Sequence, residues 1–99
     1  MGGVRDSAIY QEIFASVDSV DGASNPHRTR IRQFSNLYVV DLDVEVDSRI
    51  SVAAGHEIAK NLEQTIRDRV RNIYDIIVHI EPRGNSERDE KYGRSETEG

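Results

Sequence analysis

The chain has 99 residues and a formal net charge of −5, with 18 acidic residues, 13 basic residues and no cysteine. This length suits a single domain, and the acidic balance argues against a surface whose main task is binding phosphate groups. The lack of cysteine excludes disulfide bonds and thiolate metal sites. No apolar run approaches the roughly 20 residues of a membrane-spanning helix, and we expect no signal peptide at the polar start Met1–Gly3.

The N-terminal segment predicts an amphipathic helix. Asp6 or Ser7 is a suitable cap, and the helix is expected to run to about Ser19 before Asp21-Gly22 ends it. Its apolar stripe has helical spacing and consists of Ile9, Ile13, Phe14 and Val17. After it, Asn25-Pro26 disfavours further helix.

The next segment predicts a hairpin of two strands. From Arg28 to Phe34 the pattern has a period of two, and a second strand from Leu37 to Val46 follows the turn at Ser35-Asn36. The pairs expected in this register are Phe34 with Leu37, Arg30 with Asp41, and Arg28 with Asp43. Each pair of opposite charges would contribute only about 0.2–1 kcal/mol.

A second helix and a third strand complete the ordered part. Ser51 is expected to cap a helix that runs to about Arg71. Its predicted buried stripe is Val52, Gly55, Ala59, Leu62, Ile66 and Val70, with Ile58 at the margin. Gly55 suggests close packing on the sheet, because glycine in a helix costs about 1 kcal/mol relative to alanine. The strand from Ile73 to Glu81 is apolar enough for a central or parallel position, and Pro82 ends it.

This order of elements predicts an α+β two-layer sandwich, α-β-β-α-β, with a three-stranded mixed sheet. Both helices are expected on one face of the sheet, and the strand–helix–strand connection should make the second and third strands parallel. Residues 6–82 form the predicted domain. Residues 1–5 are expected to be a vector remnant or a linker, and residues 83–99 a disordered polar tail.

Side chains that can bind metal interrupt both apolar strands at intervals of two. They are Asp41, Asp43 and Glu45 on the second strand, and His79 and Glu81 on the third. Alternate residues of a strand share a face, so Asp43 and His79 should approach each other if the two strands are neighbours. His56 lies near the start of the second helix, beside its buried stripe. Imidazoles with carboxylates suit Zn²⁺, Fe²⁺ or Mn²⁺, although an isolated helix histidine is more often a packing or solvated residue.

Other functions have less support in these residues. The stripe of Arg28, Arg30 and Arg32 faces an acidic strand, so charge balance explains it better than nucleic-acid binding does. Histidine with a carboxylate can perform acid–base chemistry, but no nucleophile motif or phosphate-binding loop accompanies the pair. We therefore expect no enzymatic activity and no catalytic residues.

Four segments in order resemble the C-terminal cytoplasmic domain of cation diffusion facilitator transporters, with a magnetosome-associated member as one option. They are Arg28–Arg30, Tyr38–Asp47, Ser51–Ala59 and Ile77–Pro82. The resemblance covers roughly residues 17–82. It implies a ferredoxin-like, metallochaperone-like fold that forms a homodimer, binds divalent metal and regulates a transmembrane domain of the same transporter.

The resemblance also implies a set of metal ligands. His56 matches the family's helix histidine, and His79 and Glu81 match its histidine-x-acidic pair before a proline. Asp43 falls where zinc-transporting members often have a histidine, and Asp41 where magnetosome-associated members have an aspartate. Asn25 replaces another family histidine. His27 is close enough to substitute for it but would need a different backbone path, so we expect His27 to be a surface residue.

The function implied is that of a regulatory, divalent-metal-binding domain of a cation efflux transporter, at the cytoplasmic face of a membrane. The metal would be a divalent ion of the Zn²⁺, Fe²⁺ or Mn²⁺ class, and the parent an integral membrane protein. One alternative is a metal-independent dimerisation module whose polar sheet face is held by Arg–Asp pairs. Another is a free-standing metal carrier.

Overall fold

A computed structural model describes residues 3–84 of the chain. Two helices and three strands follow one another in the predicted order, and the sheet is mixed. The elements are α1 Gly3–Ser19, β1 Ser24–Phe34, β2 Leu37–Val46, α2 Val52–Arg69 and β3 Ile73–Pro82. The predicted α+β fold class is therefore confirmed. Within the described residues, neither helix combines the length and the apolar character needed to cross a membrane.

The predicted starts of two elements differ from those of the structure, and two predicted ends differ by one or two residues, since α2 ends at Arg69 and β3 includes Pro82. Helix α1 begins at Gly3, ahead of the expected cap at Asp6 or Ser7. Strand β1 begins at Ser24, not at Arg28, so it includes the Asn-Pro step that was expected to precede it. Residues 85–99, most of the predicted tail, lie outside the described part of the chain.

The sheet has the order β1-β2-β3, with β2 in the centre. Strands β1 and β2 pair antiparallel through the tight turn, with Phe34 opposite Leu37 as predicted. Strands β2 and β3 pair in parallel, because helix α2 returns the chain to the end of the sheet at which β2 begins. The apolar β3 therefore has the expected parallel partner but lies at an edge, where Ile77 is 41% exposed.

Both helices pack on one face of this sheet. Alternate residues of β2 share that face and are fully buried, namely Val40, Leu42 and Val44. They form one cluster with fully buried residues of the two helices, namely Ile13, Val17, Leu62 and Ile66. The hydrophobic effect thus favours covering this face of the sheet with the two helices. The charged residues that alternate with Val40, Leu42 and Val44 along β2 occupy the other face.

Helix α2 begins where its capping residue predicts. The Ser51 hydroxyl accepts a hydrogen bond from the backbone amide of Ala54 at 3.0 Å, which satisfies one of the free donors of the first turn. The buried stripe then follows the predicted spacing, with one exception. Val52 was expected on the stripe but is 91% exposed; its neighbours in the first turn of α2 are exposed as well, and burial begins at Gly55.

Two glycines provide a test of this packing. Gly22 has a φ of +94°, and an added Cβ would lie 2.7 Å from Cδ1 of Ile58. We expect Gly22→Ala to lower the free energy of unfolding by about 1–2 kcal/mol, because alanine is strained at positive φ. Urea denaturation of the metal-free chain measures this change.

Gly55 is the matched control. An added Cβ there would meet Ile80 and Ile50 at 3.7 and 3.8 Å, which are ordinary contacts, so the packing expected at Gly55 does not require glycine. We expect Gly55→Ala to raise the free energy of unfolding by about 0.5–1 kcal/mol. A loss at Gly55 as large as that at Gly22 would contradict the packing described here.

Candidate metal centre

The face of the sheet opposite the helices brings the acidic residues of β2 beside those of β3. The parallel register places Asp43 directly next to His79, and Glu45 next to Glu81. The predicted approach of Asp43 and His79 is confirmed, with 3.0 Å between His79 Nδ1 and Asp43 Oδ1. The next aspartate, Asp41, lies 4.0 Å from the same ring nitrogen.

Strand β1 reaches this face through an irregular segment that the sequence did not predict. Arg30 pairs with Asp41 as expected, but His27 and not Arg28 stands opposite Asp43. Register shifts separate His27 from Arg30 and Ser24 from His27. Asn25 and Arg28 have φ angles of +49° and +46°, a conformation that bulges tolerate and regular strands do not. The predicted pairing failed because β1 has one extra residue between His27 and Arg30, where Arg28 has a positive φ, and this bulge moves Arg28 out of register with Asp43.

The bulge creates a cluster of three metal-capable side chains: His27, Asp43 and Glu81. One ligand atom from each lies within 4.8 Å of the other two. His27 Nε2 is 3.0 Å from Glu81 Oε1 and 4.0 Å from Asp43 Oδ2. Atoms that bind one ion at about 2.0–2.2 Å in a tetrahedral arrangement lie roughly 3–3.5 Å apart. The observed separations bracket this range, so the donor set fits a divalent cation.

Hydrogen bonds fix the orientation of the His27 ring. Its Nδ1 donates to the backbone carbonyl of Asn25 at 2.8 Å, which leaves Nε2 facing the two carboxylates. The side chain of Asn25 in turn donates to Glu45 Oε2 at 2.9 Å. A backbone acceptor on the remote ring nitrogen is the usual support of a ligating histidine. Asn25 therefore holds the His27 ring with Nε2 toward the two carboxylates.

Local hydrogen bonds shift the pKa values of two members of this cluster, His27 and Asp43. The bond to the Asn25 carbonyl is the main influence that raises the pKa of His27; burial opposes it, and Glu81 adds to it. Burial by itself would raise the pKa of Asp43, but hydrogen bonds from His79 and Arg28 outweigh it, and the pKa is lowered. Asp43 is thus a buried carboxylate whose ionised form is favoured by the hydrogen bonds that it accepts from His79 and Arg28.

The remaining predicted ligands lie around this cluster. The side chain of His79 is 59% exposed and touches Asp43 with Nδ1, so it can either orient that carboxylate or present a ring nitrogen to a metal. Asp41 lies between His79 and the Arg32 guanidinium, at 4.0 and 3.8 Å. His56 is exposed on the first turns of α2 and lines an open groove with His79 and Glu81. Among residues 3–84, the converging set does not include His56.

Sequence reasoning named two members of the cluster, Asp43 and Glu81, and left the third open. The available signal was the Asn-Pro step two residues before His27. Asparagine followed by proline inside a strand indicates a bulge, and a bulge changes which side chain faces the neighbouring strand.

Known proteins resemble this chain over most of its length. Residues 5–83 match the family model described as "Cation efflux protein, cytoplasmic domain". Metal tolerance protein 2 of Oryza sativa subsp. japonica is 28% identical over 75 residues, which are 76% of this chain and 19% of that protein. Manganese efflux system protein MneP of Bacillus subtilis (strain 168) is 21% identical over 77 residues, 78% of this chain and 26% of that protein. The chain thus spans about a fifth to a quarter of the length of these relatives.

Solved structures resemble the fold over most of the chain. The metal-bound C-terminal domain of the CzcD transporter from Thermotoga maritima is 34% identical, with a TM-score of 0.80, over 84% of this chain and 96% of that one. The cytosolic domain of a cation diffusion facilitator family protein is also 34% identical, with a TM-score of 0.77, over 82% and 96% of the two chains. A MamM C-terminal domain, 23% identical over 79% of this chain and 99% of that one, has the same fold with a TM-score of 0.75.

Proposed function

Since the family model matches residues 5–83, this chain belongs to the cytoplasmic domains of cation efflux proteins, and from that premise we propose that it is a regulatory domain that binds a divalent cation and dimerises. The convergence of His27, Asp43 and Glu81 on one face of the sheet carries this proposal. Cation binding would shift the population of arrangements of two subunits at the cytoplasmic face of a membrane. The transmembrane domain of the same protein would respond to that shift.

The donor set supports a metal of the Zn²⁺, Fe²⁺ or Mn²⁺ class. One imidazole and two carboxylates form a mixed nitrogen and oxygen site, and the chain has no cysteine for a softer metal. The names of similar proteins support the same class: one relative is a manganese efflux protein, and the CzcD domain is metal-bound. His27, Asp43 and Glu81 are the proposed ligands, His79 orients Asp43, and Asp41 lies at the rim of the site. His56 lines a separate groove on the side of α2.

Dimerisation is supported by apolar residues that remain exposed on the small domain. Phe34 and Tyr74 form an edge-to-face pair with ring centroids 5.9 Å apart, yet they are 47% and 64% exposed. Ile77, also exposed, follows on the face that carries the cluster. A domain of this size buries a modest core, and association is a common way to cover such residues.

Thermal unfolding with and without metal tests the proposed function. At a free metal concentration of one hundred times the dissociation constant, binding stabilises the folded state by about 2.7 kcal/mol. For a domain of this length we expect the melting temperature to rise by more than about 10 °C with Zn²⁺, Mn²⁺ or anaerobic Fe²⁺. Sedimentation velocity on the same samples measures the fraction of dimer, which should increase with metal.

The control is the double variant His27→Gln with Glu81→Gln, which removes two of the three proposed ligands and changes little volume. Its melting temperature should be the same in metal and in chelator. If the wild-type chain shows no shift with any of the three metals, the domain does not sense a divalent cation in the way proposed.

A second candidate function, a metal-independent dimerisation module, is favoured by the ion pairs of the same face. Arg28 contacts Asp43 at 2.9 Å, and Arg32 lies 3.8 Å from Asp41. These arginines neutralise part of the acidic face without any metal. A wild-type dimer whose dissociation constant is identical in metal and in chelator would support this second function.

A further inference from the structure

The structure assigns Arg28 the role of a built-in competitor for the metal, a residue that sets the cation concentration at which the site fills. This inference rests on the proposed function, because it concerns the affinity of the same three-residue cluster. Its basis is that the Arg28 guanidinium binds the two carboxylates proposed as ligands, and does so from the strand segment that supplies the third ligand.

The contacts of Arg28 overlap with the proposed donor set. Nη1 lies 2.9 Å from Asp43 Oδ2 and 3.5 Å from Glu81 Oε2. Asp43 Oδ2 is also the carboxylate atom that lies 4.0 Å from His27 Nε2. One guanidinium nitrogen therefore bridges the carboxylates that a cation would have to share with His27.

The bulge of β1 explains how one strand delivers both a ligand and its competitor. Consecutive residues of a regular strand point to opposite faces. The positive φ of Arg28 breaks this alternation, and His27 and Arg28 both reach Asp43. Arg30 and Arg32 lie in the regular part of the strand, where Arg30 stands opposite Asp41 and Arg32 stands opposite Val39.

Charge and exposure indicate the size of the effect. A fixed positive charge within about 4–6 Å of a carboxylate lowers its affinity for a proton by roughly 10- to 1000-fold, and a metal cation experiences repulsion of the same origin. The Arg28 side chain is 39% exposed, whereas that of Asp43 is only 8% exposed. Solvent therefore screens part of the repulsion, and the lower end of that range, about 10-fold, applies here.

A purely bracing role for Arg28 predicts the opposite sign. If the guanidinium only held the two carboxylates in place for the metal, its removal would leave them less ordered, and metal binding would weaken or stay unchanged. The direction of the change in affinity therefore distinguishes competition from bracing.

The experiment is a calorimetric titration of the whole chain with Zn²⁺ and with Mn²⁺, for the wild type and three variants. Arg28→Gln should bind each metal about 10-fold more tightly than wild type. Arg28→Lys keeps the charge and should stay within about 3-fold of wild type, because the competing charge remains. Arg32→Gln is the matched control: it removes an equal charge from the same strand, beside Asp41, and should also change affinity by less than about 3-fold.

The outcomes separate this inference from the proposed function. Equal or weaker binding by Arg28→Gln, with a wild type that binds metal, overturns the competitor and leaves the proposed function standing. If Arg32→Gln increases metal affinity as much as Arg28→Gln does, the competitor role is overturned as well, because the change in net charge alone would explain the gain. If Arg28→Gln binds metal and the wild type does not, the competitor role is supported, and the wild-type site fills only above the metal concentrations tested. Absence of binding in all four chains overturns both.

Discussion

Replacing His27 with glutamine is expected to weaken the binding of Zn²⁺ and Mn²⁺ by at least about 100-fold. Losing an outer partner of a ligand usually costs 10- to about 100-fold in metal affinity, and losing the ligand itself should reach or exceed the upper end. Glutamine is close to histidine in volume, and the carbonyl of Asn25 can still accept from its amide, so the local bulge should persist. Calorimetry of the whole chain measures the change, with circular dichroism as the check on folding.

His56→Gln is the matched control for this prediction. Both histidines are metal-capable, but His56 is exposed on α2 and lies outside the converging cluster within residues 3–84. We expect His56→Gln to change the affinity by less than about 3-fold, as is usual for an exposed residue that supplies no ligand atom. If His56→Gln loses as much affinity as His27→Gln, the site is assembled from the helix histidine and a second subunit, and the cluster described here is not the primary site.

The fold was predictable because hydrophobic periodicity and position in the chain both indicated it. Alternation at Val40, Leu42 and Val44 defined the core face of β2, and the helical spacing of Leu62 and Ile66 defined the facing stripe. The position of β3 in the sheet was less predictable. A strand with many apolar residues is typical of a sheet centre, but β3 is an edge strand whose extra apolar residue, Ile77, is exposed on the face away from the helices.

The candidate site was predictable wherever regular strands determine it. The approach of Asp43 to His79 follows from parallel pairing and the two-residue period alone. The contribution of His27 does not, because it depends on a bulge at Asn25 and Arg28 that shifts the register of β1. The resemblance to the family is confirmed by the match over residues 5–83, whereas the ligand set that it implied, with His56 and without His27, stays a prediction.

The core of this small domain leads to the second large effect. Leu62→Ala is expected to lower the free energy of unfolding by about 2–5 kcal/mol, because the side chain is fully buried between α2 and the sheet and its removal leaves a cavity. A domain of this size has roughly 4–12 kcal/mol of stability at about 0.05–0.15 kcal/mol per residue. The substitution can therefore unfold much of the metal-free protein at 37 °C, as urea denaturation in chelator would measure.

Val52→Ala is the control for that loss, since Val52 belongs to the same helix and the same predicted stripe but is 91% exposed. We expect Val52→Ala to change the free energy of unfolding by less than about 0.5 kcal/mol. Metal binding should stabilise Leu62→Ala as well, because only the folded chain brings His27, Asp43 and Glu81 together. At a free metal concentration of one hundred times the dissociation constant, the free energy of unfolding of this variant should rise by about 2.7 kcal/mol. A Leu62→Ala chain that melts at the same temperature in metal and in chelator, beside a wild type that is stabilised, would show that metal binding does not require the packed fold.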